Sequence, residues 1–330
     1  LFKIRFRTNF KGNKLFLSEL MTNPHVSVLL QEIIESFAAT PIRIFIDGTI
    51  GAGGHAAALL AAHPEIDHYI GIDQDPNALQ IASIRLKKWQ SKVIFKHANF
   101  SQFDVVLAEL GFRRVDGILV DLGVSSMQLD QAERGFSFSK DGPLDMRMDP
   151  TNPVSAAEII NTRSEKELGK IFRELGEEKQ WRVAAQAIVA ARQKQPITTT
   201  LDLAKVLESV LYRNYKKGIN PLTLIFQGLR IATNQELDKL ELFMTKAFDY
   251  LAPAGRLAVI SFHSLEDRIV KNQMRFQSDD KWETTGLGGI FRDKQPVTKT
   301  ITKKPIGPTD DEMKINPRSR SAKLRVAEKI

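Results

Sequence analysis

The 330-residue chain has a net charge of +8 and 42% apolar residues, enough to bury a full core as one large domain or two. It contains no cysteine, which excludes disulfides, thiolate metal sites and cysteine nucleophiles and is compatible with a reducing cytoplasm; it also has no run of 18 apolar residues, so no membrane-spanning helix is expected. The positive charge sits at the ends, with five Lys or Arg against one acid in residues 1–20 and eleven against five in 291–330, a pattern that suits a phosphate backbone as well as a solvated tail.

Residues 1–24 read as a leader or flexible arm. They are basic, with scattered Phe and Leu, but lack the apolar stretch and small-residue cleavage site of a secretory signal. Met21-Thr22-Asn23-Pro24 looks like a natural start, and a transit peptide is the alternative. Next, Val28, Leu29, Ile33, Ile34 and Phe37 fall near helical spacing, and Pro41 separates that helix from a buried strand at Ile44-Phe45-Ile46-Asp47. A turn follows, Gly48-Thr49-Ile50-Gly51-Ala52-Gly53-Gly54-His55. Its four glycines let backbone approach a ligand closely, and a helix from His55 should aim its first amides there.

The second strand, 68–72, ends on Asp73, whose carboxylate would lie beside the glycine turn and accept both hydroxyls of a ribose. A nucleoside cofactor is implied, and two kinds fit. Gly51, Gly53 and Ala56 satisfy the loose dinucleotide pattern, with Asp73 about 20 residues on. Asp47 argues the other way: it would repel a diphosphate but suits the ammonium of S-adenosylmethionine, which is therefore the favoured cofactor. Asp75 and Pro76 start a helix to Trp89, 93–95 is a third strand, and Phe100 is placed either against an adenine ring or in the core. A helix over 103–110 leads to strand four, 117–120, closing on Asp121. Parallel strands would then line up Asp47, Asp73 and Asp121 on one rim, for the methionine end, the ribose and the edge where cofactor meets substrate.

From Gln128 to Pro153 the periodicity stops, and a link of this length reads as an active-site loop. Helices are then predicted over 156–160 behind Ser155, over 168–175 behind a Ser164/Glu167 capping box, over 181–191, from 200 or 201 to 211, and over 226–242 as a pair or one bent element. The expected organisation is α/β, a Rossmann-like sheet in two parts, 25–127 and 226–330, with a loop and inserted all-helical substrate domain over 128–225. The second part should contain a helix over 240–251, a turn at Pro253-Ala254-Gly255, a strand over 256–260, a helix over 266–276 and a mobile stretch over 277–296. An antiparallel edge hairpin, 298–303 with 323–327 across the loop 305–322, should end it.

The strings DLGVSSMQLD at 121–130, ERGFSF at 133–138, DGPLDMRMDP at 141–150, GEEK at 176–179, SFHSLEDRIVK at 261–271 and NPRSRSAKLRVAEK at 316–329 are carried in this order. With DGTIGAGGH and IGIDQDPNA, the chain resembles the ribosomal RNA small-subunit methyltransferase H family, also called MraW, from about His25 to Lys329. The resemblance implies a class I methyltransferase sheet with a helical insert after strand four, and methylation of the exocyclic N4 of a cytosine in the decoding region of 16S rRNA. It further implies cofactor contacts at Gly53, Gly54, His55, Asp73, Phe100, Asp121 and Gln128, and a cytoplasmic enzyme acting on the assembled 30S particle. The chain departs from the family's usual pattern at Met127, where a proline is usual, at Ala254, where a second glycine is usual, and over 220–231, where a histidine and an arginine are missing while Arg230 remains.

The residues support this chemistry independently of the resemblance. Methylation at carbon 5 of cytosine needs a thiolate, which this chain lacks; the exocyclic amine needs only an acceptor that localises its lone pair and aligns it with the methyl group. Asp121 is one such acceptor, and a backbone carbonyl or hydroxyl within 123–126, that of Ser125 included, is another. The departing proton would go to water, Asp121 or His263, although His263, like Ser261 and Ser264, also fits a strand-end turn. Arg134, Arg147, Arg230, Lys271, Arg318, Arg320, Lys323 and Arg325 are candidates for RNA phosphates, while Arg134 and Arg147 also lie among acids that would lock the loop. No metal is expected, and either a monomer or a dimer is compatible with the sequence. The alternatives are a methyltransferase on another RNA or DNA exocyclic amine, a small-molecule methyltransferase, and a non-catalytic RNA-binding assembly factor.

Overall fold

The computed structural model describes residues 27–211, 220–283, 290–291 and 294–330; the leader expected over 1–24 lies outside them. α1 (Leu30–Phe37) buries Ile33 and Phe37 against β1 (Ile44–Asp47). α2 (Gly54–Ala62) follows the glycine turn and leads to β2 (His68–Asp73). α3 (Pro76–Arg85) begins where Asp75 accepts the Asn77 amide at 3.0 Å and Pro76 occupies the first turn, and it stops four residues before Trp89. β3 (Val93–His97), α4 (Phe103–Leu110) and β4 (Val115–Asp121) complete the first part.

The stretch beyond β4 holds α5 (Ser126–Asp130) and then irregular chain. α6 (Ala156–Thr162), α7 (Glu165–Lys170), α8 (Trp181–Arg192), α9 (Thr200–Glu208) and α10 (Pro221–Asn234) are helical as the spacing predicts, and the Ser164/Glu167 capping box closes in both directions. Gln235 takes a left-handed φ of 53° and breaks the expected bent element into α10 and α11 (Glu236–Lys246), so the helix predicted over 240–251 is the tail of α11. These helices share a core with the preceding loop. Phe172, Ile188, Leu203 and Leu229 pack with Met146 from the loop, and α10 therefore belongs to this packing beyond residue 225.

β5 (Leu251–Ser261) absorbs the expected 253–255 turn: Val115 pairs with Leu251 and Gly117 with Arg256, so the extra β5 residues bulge out, with Ala254 at φ 62°. α12 (Ser264–Ser278) is followed by β6 (Trp282–Glu283) paired with β7 (Ile290–Phe291), and the remainder of the stretch expected to be mobile lies partly outside the described residues. β8 (Thr298–Thr300), α13 (Asp310–Ile315) and β9 (Lys323–Lys329) end the chain.

The main sheet runs β3-β2-β1-β4-β5-β9-β8, with β9 antiparallel to both neighbours. β9 is thus an interior strand, which accounts for its buried Leu324, Val326 and Ala327; of the two hairpin strands, β8 alone is at the edge. Separate clusters cover the two faces. On one, Phe45 stacks on Tyr69 with centroids 5.1 Å apart and meets Phe37 edge-on, while Gly117 leaves room for the Phe45 ring, which a Cβ there would approach to 2.5 Å. Truncating Phe45 to Ala would cost about 3–5 kcal/mol. The order reverses between β1 and β4, which puts the crevice for a ligand above their carboxyl ends.

Candidate active site

Because β2, β1 and β4 are adjacent and parallel, their terminal acids Asp73, Asp47 and Asp121 fall on one rim. Three backbone turns tie that rim together. The Gly51 amide, at φ 52°, donates to Asp73 Oδ2 at 2.8 Å, and the Asp75 amide donates to Asp73 Oδ1 at 2.8 Å. The Asp121 amide donates to Thr49 Oγ1 at 2.7 Å. Asp73 is therefore fixed in direction, and with Gly51, Gly54, His55, Phe100, Asp121 and Gln128 it lines a cavity over the glycine turn.

Asp47 and Gly53, expected to touch the cofactor, are not part of this lining. Asp47 lies beneath it, accepting the Tyr69 hydroxyl at 2.9 Å and the Thr49 amide at 3.1 Å, and so supports the turn from below. Gly53, at φ 78°, faces away: a Cβ there would sit 3.2 Å from Leu86 and 3.4 Å from Ala82, so its smallness lets α3 and the turn pack.

Burial pushes the Asp47 carboxyl up to about 7 and that of Asp73 to about 6. Burial, together with the charges of Asp47 and Glu266, pushes Asp121 well above the usual carboxylate range. Asp121 Oδ1 is buried with no hydrogen-bond partner among the described residues, and Oδ2 lies 3.9 Å from His55 Nδ1. His55 Nε2 donates to the Val28 carbonyl at 2.9 Å, so the ring nitrogen nearest Asp121 is Nδ1. An acidic concavity of this kind lowers its own energy by accepting a cation, and a diphosphate would raise it.

The remaining expected residues divide by what they touch. Gln128 donates to Asp75 Oδ2 at 3.0 Å and accepts the Ser125 amide, while the Ser125 hydroxyl accepts the Gln128 amide, so Ser125 lines the cavity as the cap of α5. Arg134 is turned inward, to Asp75 Oδ2 at 2.7 Å and to the carbonyls of Arg147 and Met148, both at 3.0 Å. Arg147 forms a two-pronged pair with Asp145 and binds the carbonyls of Pro150 and Asn152. Both arginines therefore lock the loop, the second of the two roles the sequence offered for them, through bonds to Asp75, Asp145 and loop carbonyls.

Arg230 is also sheltered, paired through Nε with Glu236 at 2.9 Å, but it lines the cavity. His263 lies behind the lining with Nε2 3.1 Å from Glu266 Oε1, and its neighbour Phe262 takes the place on the wall. Burial raises the Glu266 carboxyl, but His263 and Arg230 outweigh it and hold the group below its ordinary range. Arg318 stands at the mouth, bound through both Nη nitrogens to the Asp130 carboxylate, while Arg320 and Lys271 are exposed. Lys323 and Arg325 both pair with Asp267.

The sequence reading missed Ser27, Asn99, Phe262 and Asn316 on the cavity wall. Asn99 and Phe262 stand just beyond the ends of β3 and β5, where the strand-end rule applied to the acids would have found them. Ser27 and Asn316 are brought in by long-range packing, with Glu312 accepting the Leu29 amide at 2.8 Å. Among the described residues no helix is long and apolar enough to cross a membrane.

The family model described as MraW methylase family matches residues 22–330. A ribosomal RNA small subunit methyltransferase H of Protochlamydia amoebophila is 65% identical over 308 residues, covering 93% of this chain and 98% of that protein. Proteins of the same name from Heliobacterium mobile and Maridesulfovibrio salexigens are each 46% identical, covering 93% and 92% of this chain and 99% and 95% of theirs.

Proposed function

The chain belongs to the MraW methylase family, and on that premise we propose that it transfers a methyl group from S-adenosylmethionine to the exocyclic N4 of a cytosine in the decoding region of 16S rRNA, in the cytoplasm and on the small ribosomal subunit. The observation that carries the reading is the pairing of a pinned Asp73 with a buried Asp121 oxygen, unpartnered among the described residues, on one cavity wall.

The donor set fits the cofactor. Asp73 would accept the ribose hydroxyls, Phe100 would lie along the adenine, and Gly51 leaves room for close backbone approach, while Gly54 makes room for Ser27 on the same wall and His55 and Gln128 complete it. When bound, S-adenosylmethionine supplies a methyl group on a cationic sulfonium. The acids answer that charge, and Asp121 is lowered toward its ionised form by a neighbouring cation.

Asp121 then accepts a hydrogen of the target amine, which localises the nitrogen lone pair and orients it. The Ser125 hydroxyl or a neighbouring carbonyl is the second acceptor that the loop offers. The proton released goes to Asp121, to water, or onward to His263, which Glu266 holds at the cavity's back. A cytosine must leave its stack to reach this depth. Arg318 on the cavity wall and the exposed Arg320 and Lys271 would hold the flanking phosphates, and the loop that leads into the helical insert contributes Gln128, Leu129 and Met148 to the cavity wall.

The test incubates the purified protein and labelled methyl donor with 30S particles, free 16S rRNA and DNA, followed by digestion and identification of the modified nucleoside by mass. Label on cytosine N4 from 30S particles is expected. Label on another base or on DNA would overturn the substrate, and donor binding without any transfer would point to a non-catalytic assembly factor.

A further inference from the structure

A flipped cytosine presents two acceptors, O2 and N3, beside the amine that reacts. The wall that faces it needs donors matching that edge. Arg230 has the right chemistry and an unexpected location. It rises from α10, its side chain is 16% exposed, and Nε is committed to Glu236 at 2.9 Å, yet it forms part of the cavity lining together with Asp121 and Phe262. No hydrogen bond joins its two Nη nitrogens to the described residues. A phosphate contact would call for an exposed cation, whereas a guanidinium anchored at Nε and opening into a recess is a fixed fork.

The surroundings hold that fork in place. Glu236 follows the left-handed Gln235 that separates α10 from α11, so the Arg230–Glu236 pair spans the break between the two helices. Glu266 is held near by its own bonds from the Phe262 and His263 amides at 2.8 and 3.3 Å, and it adds negative charge on the Arg230 side. Phe262, whose ring packs over Gly123, offers an aromatic wall for the base.

We propose that Arg230 is a specificity-determining residue that reads the pyrimidine: its Nη groups donate to O2 and N3 of the extruded cytosine, leaving N4 for Asp121. The inference rests on the cytosine-N4 reading and deepens it. Uracil would set an N3–H donor against the guanidinium, and adenine offers a single ring acceptor on that edge, so neither matches a two-pronged donor.

The test compares 30S particles carrying either cytosine or 3-deazacytosine, in which N3 is replaced by C–H, at the modified position. Each is measured for affinity to the enzyme loaded with S-adenosylhomocysteine. The wild type should prefer the cytosine particle by ~10-fold, at the low end of the range for a bidentate base contact because one of its two arms is lost. Arg230→Met should show no preference, and Arg230→Lys, which keeps a cation beside Glu236 and guards against a folding defect, should show a reduced one. Equal affinities in the wild type, or an undiminished preference in Arg230→Lys, would overturn the assignment. Methylation of unmodified particles, followed in parallel, separates the outcomes: its absence removes the cytosine-N4 reading itself, while normal methylation with equal affinities removes only the role of Arg230.

Discussion

Arg134 Nη1 lies 2.7 Å from Asp75 Oδ2, so the loop that follows β4 is fastened to the cap of the helix that follows β2. The Arg134 side chain is 13% exposed and that of Asp75 5%, and the same arginine binds two loop carbonyls. Removing one member of so sheltered a pair typically costs ~3–5 kcal/mol, because the other charge is left buried. Arg134→Met should therefore lower the denaturant midpoint by the equivalent of about 3 kcal/mol and expose 128–153 to proteolysis. A loss below ~0.5 kcal/mol, the scale of an ordinary surface change, would show that the pair holds nothing.

How much of this was legible beforehand differs from residue to residue. Ile44-Phe45-Ile46-Asp47 and the glycine run following it announced β1, the turn and the ligand crevice, because buried strands and glycine turns are written locally. The pairing partner of Arg134 was not, since charge alternation in a loop is the same for a phosphate contact and for an internal lock. Asp47 illustrates the same limit: its strand-end position was readable, but Tyr69, 22 residues away, turns its carboxylate from the cavity toward the core. The bulge in β5 and the interior position of β9 depend on register with distant strands, which no short pattern encodes.

Asp121→Ala should lower single-turnover methylation by at least ~100-fold with donor saturating, the scale expected for losing a preorganised group at the reacting atom. Asp73→Ala should act in the opposite sense, weakening donor affinity in calorimetry while saturating rates fall less. The contrast follows from position, for Asp73 is held by two amides beside the turn and Asp121 stands at the edge toward Phe262 and Arg230. Near-normal transfer by the Asp121 variant would end its assignment as the amine's acceptor.

The ligand-free protein should lose stability as pH rises across the range in which the rim acids ionise. Asp47 and Asp73 carry folded-state values of about 7 and about 6, above the ordinary 3.8, so between those limits the folded state binds more protons than the unfolded one. Their contribution is complete below about pH 4 and is lost as pH climbs through about 6 and about 7. Other groups have opposite slopes, Asp267 among them, so the diagnostic quantity is a difference. Wild type minus Asp47→Asn, compared by urea melts from pH 4 to 8, should show this decline. A flat difference would mean that Asp47 is ionised in the fold at no cost.

RNA affinity should depend on salt through exposed cations and not through the loop arginines. Lys271 and Arg320 are exposed on α12 and just before β9, and Arg318 reaches the cavity mouth, whereas Arg147 spends its guanidinium on Asp145 and two carbonyls. Each phosphate contact removed should reduce the slope of log affinity against log salt by about 1, because one fewer counterion is released. Arg320→Ala and Lys271→Ala should therefore flatten the slope measured with 30S particles. Arg318→Ala removes the one of these three cations that lines the cavity, so its loss of affinity should exceed that of Arg320→Ala. Arg147→Ala should leave the slope unchanged while lowering stability, because its guanidinium is committed to Asp145 and two loop carbonyls. A slope indifferent to Arg320 and Lys271 but altered by Arg147 would reverse the assignment and place the RNA over the loop.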